Sequence, residues 1–226
     1  MKKTGEILRK LKSMSDPKAV EGMARFGINP HDTYGVSIPN IRKIAREAGE
    51  DHSVANELWE SGVHEARILA GMIDDAELVT EGQMERWIKD FDSWDVCDQC
   101  CSNLFDKTRF AHKKAVEWSR RDEEFVKRAG FVLMACLSVH DKLAKDEDFI
   151  KFLPIIQREA RDERNFVKKA VNWALRQIGK RNLKLNTAAI ESARRIQKMD
   201  SKSARWIASD ALRELTSKAV QKKLTT

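Results

Sequence analysis

One pentapeptide recurs in the second half of this chain: Phe125-Val126-Lys127-Arg128-Ala129 returns 41 residues later as Phe166-Val167-Lys168-Lys169-Ala170. Four positions are identical, and the fifth exchanges one cation for another. The register extends upstream, where Ala115–Ala129 falls on Ile156–Ala170 and Arg120 meets Arg161. A weaker third copy follows at a shorter offset, with Ala174-Leu175-Arg176 matched by Ala211-Leu212-Arg213. A segment that repeats with this period cannot bury its apolar face alone and must stack on its own copies.

The repeating unit is helical. Only four prolines and ten glycines occur in 226 residues, no Asn-Gly or Gly-Asn pair marks a hairpin, and apolar residues recur at helical spacing. Asp16-Pro17 opens a helix that runs through Ala24, with Asp as N-cap and Pro at the first helical position. Ser37-Ile38-Pro39 starts another, ending near Gly49. Thr80-Glu81-Gly82-Gln83 reads as a capping box ahead of Trp87 and Ile88. Further helices are expected at 52–60, 63–73, 93–105, 108–120, 122–139, 147–160, 163–180, 186–199 and 202–215, with connections short enough to make neighbours antiparallel. A helix-pair unit near 40 residues is the signature of HEAT-like arrays. The expected fold is therefore all-α, a curved solenoid of HEAT-like antiparallel helix pairs forming a single domain over residues 1–226.

Hydrophobic residues make up 42% and charged residues 34% of the chain, a balance of neither a disordered nor a membrane-embedded protein. The longest apolar run is far short of the roughly 20 residues a membrane span needs. The opening Met1-Lys2-Lys3-Thr4-Gly5-Glu6 does not resemble a signal peptide. A cytoplasmic protein with no membrane partner is expected. Cys97, Cys100 and Cys101 lie within five residues, with Cys136 further on. Without an export signal they are not read as a disulfide framework. Cys97-x-x-Cys100, even with His112 downstream, lacks two further ligands at finger-like spacing. The cysteines are read as small apolar residues, with no metal and no cofactor.

Charge is unevenly distributed. Residues 1–106 hold 13 Lys/Arg against 20 Asp/Glu, whereas residues 107–226 hold 29 against 15, within an overall net charge of +7. The basic half points to a polyanion. The repeat supplies a place for it, because Lys127/Arg128 and Lys168/Lys169 occupy equivalent positions on successive second helices. Stacking is expected to bring both pairs to one face, continued by Arg176, Lys180, Arg194, Arg195 and Arg205. Such a face can follow a phosphate backbone, with an affinity that falls steeply with salt.

One stretch carries candidate chemistry: Phe91-Asp92-Ser93-Trp94-Asp95-Val96-Cys97-Asp98. On a helix, Trp94 and Asp98 share a face, and Asp95 sits one turn before Asp98. Acids also favour helix N-termini for electrostatic reasons alone, so spacing leaves both a catalytic and a structural reading open. Trp173 and Arg176 form a second i, i+3 pair, on the repeated helix.

These residues, in this order, resemble the AlkD-like DNA alkylation repair glycosylase family. The resemblance runs from about Val20 to Lys198. It rests on Met23-Ala24-Arg25-Phe26, Gly35-Val36-Ser37-Ile38-Pro39-Asn40-Ile41-Arg42, Ser93-Trp94-Asp95-Val96-Cys97-Asp98, Lys127-Arg128-Ala129 and Ala170-Val171-Asn172-Trp173-Ala174-Leu175-Arg176. It implies a HEAT-like solenoid that holds duplex DNA and removes purines made cationic by N3 or N7 alkylation; a monomer is expected. It implies that Asp98 is the essential aspartate, that Trp94 and Trp173 are cleft tryptophans, that Arg128 is a cleft arginine and that Arg176 contacts DNA. A cleft tyrosine of the family is Phe26 here, so the ring is kept and the hydroxyl lost.

The chemistry suits these residues. A cationic purine leaves as a neutral molecule, so no general acid is needed, unlike a glycosidase with paired carboxylates. Asp98 can stabilise the cation growing on the deoxyribose and orient water. Trp94 and Trp173 can offer it their electron-rich faces. Arg128 can either grip a phosphate or keep Asp98 ionised. Two other functions fit the sequence: a nucleic-acid-binding module without catalysis, and a protein-interaction scaffold in which the tryptophans are core and the basic face incidental.

Overall fold

The computed structural model describes residues 2–225. Among them there are fifteen α-helices, two 3-10 turns and no strand, and the all-α expectation holds. The chain divides into two compact units, Met1–Arg109 and Phe110–Thr226. The second contains the repeat. Its boundary falls close to the change of charge, with 27 Lys/Arg against 15 Asp/Glu from Phe110 onward.

The first unit holds α1 (Lys2–Ser13), α2 (Pro17–Arg25), α3 (Ile38–Ala48), α4 (His52–Glu60), α5 (His64–Ile73), α6 (Glu81–Trp87) and α7 (Trp94–Asn103). Helix α5 is central: eight of its ten residues are buried, and α3, α4 and α7 pack against it. The approach of α7 is close because small residues meet there. A Cβ added at Gly71 would lie 3.2 Å from the Cα of Cys100. Cys97, Cys100 and Cys101 are fully buried thiols, which explains their clustering as packing, and burial pushes the Cys100 thiol well up. Beside them Trp59 and Trp87 stack at 4.1 Å, and the Trp59 indole N–H donates to Asp90 Oδ2 at 2.9 Å.

The second unit holds α8 (Ala111–Trp118), α9 (Glu124–His140), α10 (Asp146–Ile150), α11 (Leu153–Glu159), α12 (Asn165–Gly179), α13 (Leu183–Gln197), α14 (Lys202–Leu215) and α15 (Lys218–Thr225). Helices α8 and α9 are antiparallel: Ser119, capping α8, touches Gly130 early in α9, while His112 pairs with Asp141 at the far end at 3.0 Å. Successive second helices run parallel and in register with the repeat. Phe125 and Phe166 meet at 5.5 Å between ring centroids, and at the other end Arg181, just past α12, donates to Ser138 O. Helix α14 continues the array. Lys168 meets Trp206, Asn172 meets Asp210 and Arg176 meets Glu214, a constant step of 38 residues where the sequence match suggested 37.

Gly130 permits the α8–α9 contact. A Cβ there would stand 2.4 Å from the Ser119 amide nitrogen and 3.0 Å from the Ala115 carbonyl oxygen, both backbone atoms. Gly130→Ala is therefore expected to destabilise the protein by about 3 kcal/mol, at the upper end for overpacking, despite alanine's better helix propensity. Denaturant titration checks this; an unchanged midpoint would contradict the close approach.

The structure departs from the sequence expectations at several boundaries. The expected 147–160 helix is two. Pro154, at the start of α11, has no N–H and its ring conflicts with the carbonyl four residues earlier, so α10 ends at Ile150. Helices α1 and α15 were not anticipated; α15 buries no residue and so has no apolar stripe to read. The 186–199 helix begins at Leu183, because Asn182 caps it by accepting from the Leu185 N–H. Thr80 does cap α6, but the Gln83 amide donates to Asp74 instead of closing a capping box.

Candidate functional site

The start of α7 is held by side chains. Ser93 is fully buried. Rather than capping its own helix, its hydroxyl accepts the Asn29 backbone N–H at 2.9 Å. The Asn29 amide in turn donates to Asp92 at 2.7 Å. Asp95 is buried and lies 2.8 Å from His64 Nε2, and its other oxygen accepts the Val96 N–H. Trp94 is half-buried, and its indole N–H donates to the Phe26 carbonyl at 3.2 Å. The first unit thus joins Trp94 to the Phe26 backbone, and Phe26 is 74% exposed. Asp98 follows one turn after Trp94 and is half-buried.

The loop leading into α3 is fixed from beneath. Glu65, fully buried on α5, accepts the backbone N–H groups of Tyr34, Gly35 and Val36 at 2.6–3.1 Å. Gly35 has φ +80°, and a Cβ there would lie 2.3 Å from the Asp16 carbonyl oxygen. Only glycine fits this crossing. Above it lies a cavity of about 340 Å³, walled by Met23, Ile28, Val36, Ile38, Ile68 and Trp94 among others.

His64 was not singled out in the sequence, although a His-Glu pair inside the apolar stretch of α5 is the available signal. Burial pushes its imidazolium down, but the hydrogen bond to Asp95 and the charges of Asp95, Glu65 and Asp92 outweigh that and hold its pKa above 6.5. The sign follows from linkage. The folded state binds the proton more tightly, so this stabilisation is fully present below about pH 6.5 and is lost as pH rises through the folded pKa. Thermal melts between pH 6 and 9 should fall more steeply for the wild type than for His64→Asn; parallel curves would refute the coupling.

In the second unit the expected residues are placed unequally. Arg128 is 5% exposed, and its Nη1 donates to the Phe166 carbonyl at 2.6 Å, tying α9 to the start of α12. Lys127 is 8% exposed and pairs with Glu159 at 2.9 Å and Asp162 at 3.6 Å. The two repeat copies therefore do not form equivalent rungs: Lys127 and Arg128 lie inside the packing, whereas Lys168 is half-buried and Lys169 exposed. In the first copy Glu159 and Asp162 close over Lys127. Trp173 is half-buried on α12. Arg176, one turn on, is engaged by Glu214 at 2.7 Å and Asp210 at 3.6 Å, and Lys180 shares Glu214 at 2.8 Å. Burial raises the Glu214 pKa, but Lys180 and Arg176 together outweigh it and hold it below the usual range. Arg194, Arg195 and Arg205 are exposed.

Among the described residues, no group of three or more His, Cys, Asp or Glu is arranged to hold a metal, and no helix is long and apolar enough to cross a membrane.

Comparison with known proteins bears on this arrangement. A family model described as DNA alkylation repair enzyme matches residues 7–215. A search of the curated proteins finds no match. Among solved structures, the chain is similar to a member of a family described as related to the HEAT-like repeat DNA glycosylases with affinity for branched DNA structures. The TM-score is 0.77 at 19% identity, over 93% of this chain and 94% of that one. A designed armadillo repeat protein in complex with a (KR)4 peptide matches at TM-score 0.39 and 15% identity, over 82% and 88%. The first likeness shows the fold, an array of HEAT-like helices.

Proposed function

The chain belongs to the DNA alkylation repair enzyme family, and from that premise we propose that it is a DNA glycosylase acting on positively charged N3- or N7-alkylated purines in duplex DNA. The observation that carries this reading is the start of α7, which side chains hold in place and which carries Asp98 one turn beyond Trp94. Asp92 holds Asn29 and Asp95 holds His64, so both serve to fix α7. Asp98 lies beyond them, half-buried, one turn from a tryptophan whose indole is itself fixed. Preorganised charge of this kind is what a developing cation requires.

In the proposed reaction the C1′–N bond breaks with its electron pair passing to the purine, which leaves neutral. Water adds at C1′ and its proton is released to solvent. Asp98 stabilises the deoxyribosyl cation and orients the water. Trp94, on the same helix, presents a π face to the sugar. In the second unit, whose charge favours a polyanion, Arg176, Lys168 and Lys169 are assigned to DNA phosphates. The protein acts as a monomer without a cofactor. Incubation with a duplex containing 7-methylguanine or 3-methyladenine, with free base quantified under single-turnover conditions, tests the proposal.

A second reading, a nucleic-acid-binding module without catalysis, is favoured by two observations. Phe26 stands where the resemblance implies a tyrosine, and the similar solved structure comes from a family described by its affinity for branched DNA. That reading gives salt-sensitive DNA binding and no base release even with protein in excess.

A further inference from the structure

Helix α14 has a core stripe of Ser203, Ala204, Ile207, Ala208, Ala211 and Leu215. Its opposite face carries Trp206, 42% exposed. The Lys168 ammonium stands over the Trp206 ring at 5.1 Å from the centroid, and Lys169, Lys202 and Arg205 are exposed nearby in sequence. The platform is rigid. Glu163 accepts the Ser201 hydroxyl at 2.8 Å and the Ser203 N–H at 3.1 Å, joining the beginnings of α12 and α14. Asn172 and Asp210 join the same helices further along. The proposed reaction does not use the Trp206 ring, yet the fold leaves it partly exposed with a cation over it.

We infer that Trp206 and Lys168 form a stacking site for an unpaired nucleotide. The indole receives the base on its face, and the Lys168 ammonium reaches the adjoining phosphate. Aromatic stacking accepts any base, because every base has a π face, and a neighbouring cation supplies the backbone contact. A fully paired duplex keeps its bases in the helical stack and offers this ring nothing equivalent. The partner is accordingly DNA with a base outside the stack. The charge of the second unit, 27 Lys/Arg against 15 Asp/Glu, fits a polyanion rather than an apolar surface. This inference rests on the reading that the protein binds DNA.

The test compares two probes: a perfect duplex, and the same duplex with one unpaired adenine. The wild type should bind the second more tightly. Trp206→Ala should weaken binding to the unpaired-adenine probe about tenfold, or about 1.4 kcal/mol, while perfect-duplex affinity and the release of 7-methylguanine at saturating protein stay within about twofold. Trp206→Phe, which keeps a ring, should recover most of the loss, whereas Lys168→Ala, which removes a phosphate contact, should weaken binding to both probes. Equal effects of Trp206→Ala on both probes, or none on either, would overturn the stacking site and leave the DNA-binding reading standing. A wild type that binds neither probe would overturn both.

Discussion

Asp98→Asn is expected to slow single-turnover release of 7-methylguanine by about 10²–10³-fold, the scale of one preorganised electrostatic group removed from a site of charge development. The substitution keeps size and hydrogen-bonding capacity but deletes the charge that opposes the deoxyribosyl cation. Affinity for the duplex should be unchanged or higher, because one negative charge facing a polyanion is gone. The loss should therefore appear in the chemical step and not in binding. Asp95→Asn offers the contrast. Asp95 is buried against His64, so its loss should register as reduced stability with a smaller effect on the rate of the folded fraction. Release by Asp98→Asn at the wild-type rate would remove Asp98 from the mechanism, whereas no release by the wild type itself would favour the binding-module reading.

Glu65→Ala should have the largest effect on stability. The Glu65 carboxylate is fully buried and accepts three backbone N–H groups from residues 34–36. Each donor left buried without an acceptor costs about 1–3 kcal/mol, so a loss of at least about 3 kcal/mol is expected even after the loop relaxes. Glu65→Gln should cost less, since it keeps an acceptor oxygen but turns an N–H₂ toward N–H groups. Chemical denaturation measures both. A Glu65→Ala midpoint within error of the wild type would mean that these amides find other partners. The loop also walls the cavity beside Trp94, so the variant should lose base release at temperatures where the wild type is still active.

The repeat was legible because identical residues at a fixed offset, joined by short connections, permit few arrangements other than stacked helices. The contact between Phe125 and Phe166 is the direct consequence. Charge patterning was a poorer guide. Lys127 and Lys168 are the same residue in the same local context, but only Lys127 has Glu159 and Asp162 closing over it. Those acids lie more than 30 residues away, beyond the reach of any local pattern. The aspartates of the α7 region pose the same problem. Asp92 and Asp95 differ little in neighbours along the chain, and what each holds, Asn29 and His64, lies 63 and 31 residues distant. Pro154 was legible in principle, since a proline inside a helical pattern conflicts with the turn before it.

The parallel register of α9, α12 and α14 has a kinetic consequence. Each of these helices meets the next about one repeat away, so contacts that assemble the second unit bridge about 40 residues rather than the length of the chain. Loop-closure cost grows only slowly with separation, and topologies rich in such near contacts fold fast. During synthesis, α9 and α12 can dock as soon as α12 has emerged, giving α14 a finished template. The Lys168–Trp206, Asn172–Asp210 and Arg176–Glu214 pairs are then the last to close, and hydrogen exchange should find α14 opening before α9.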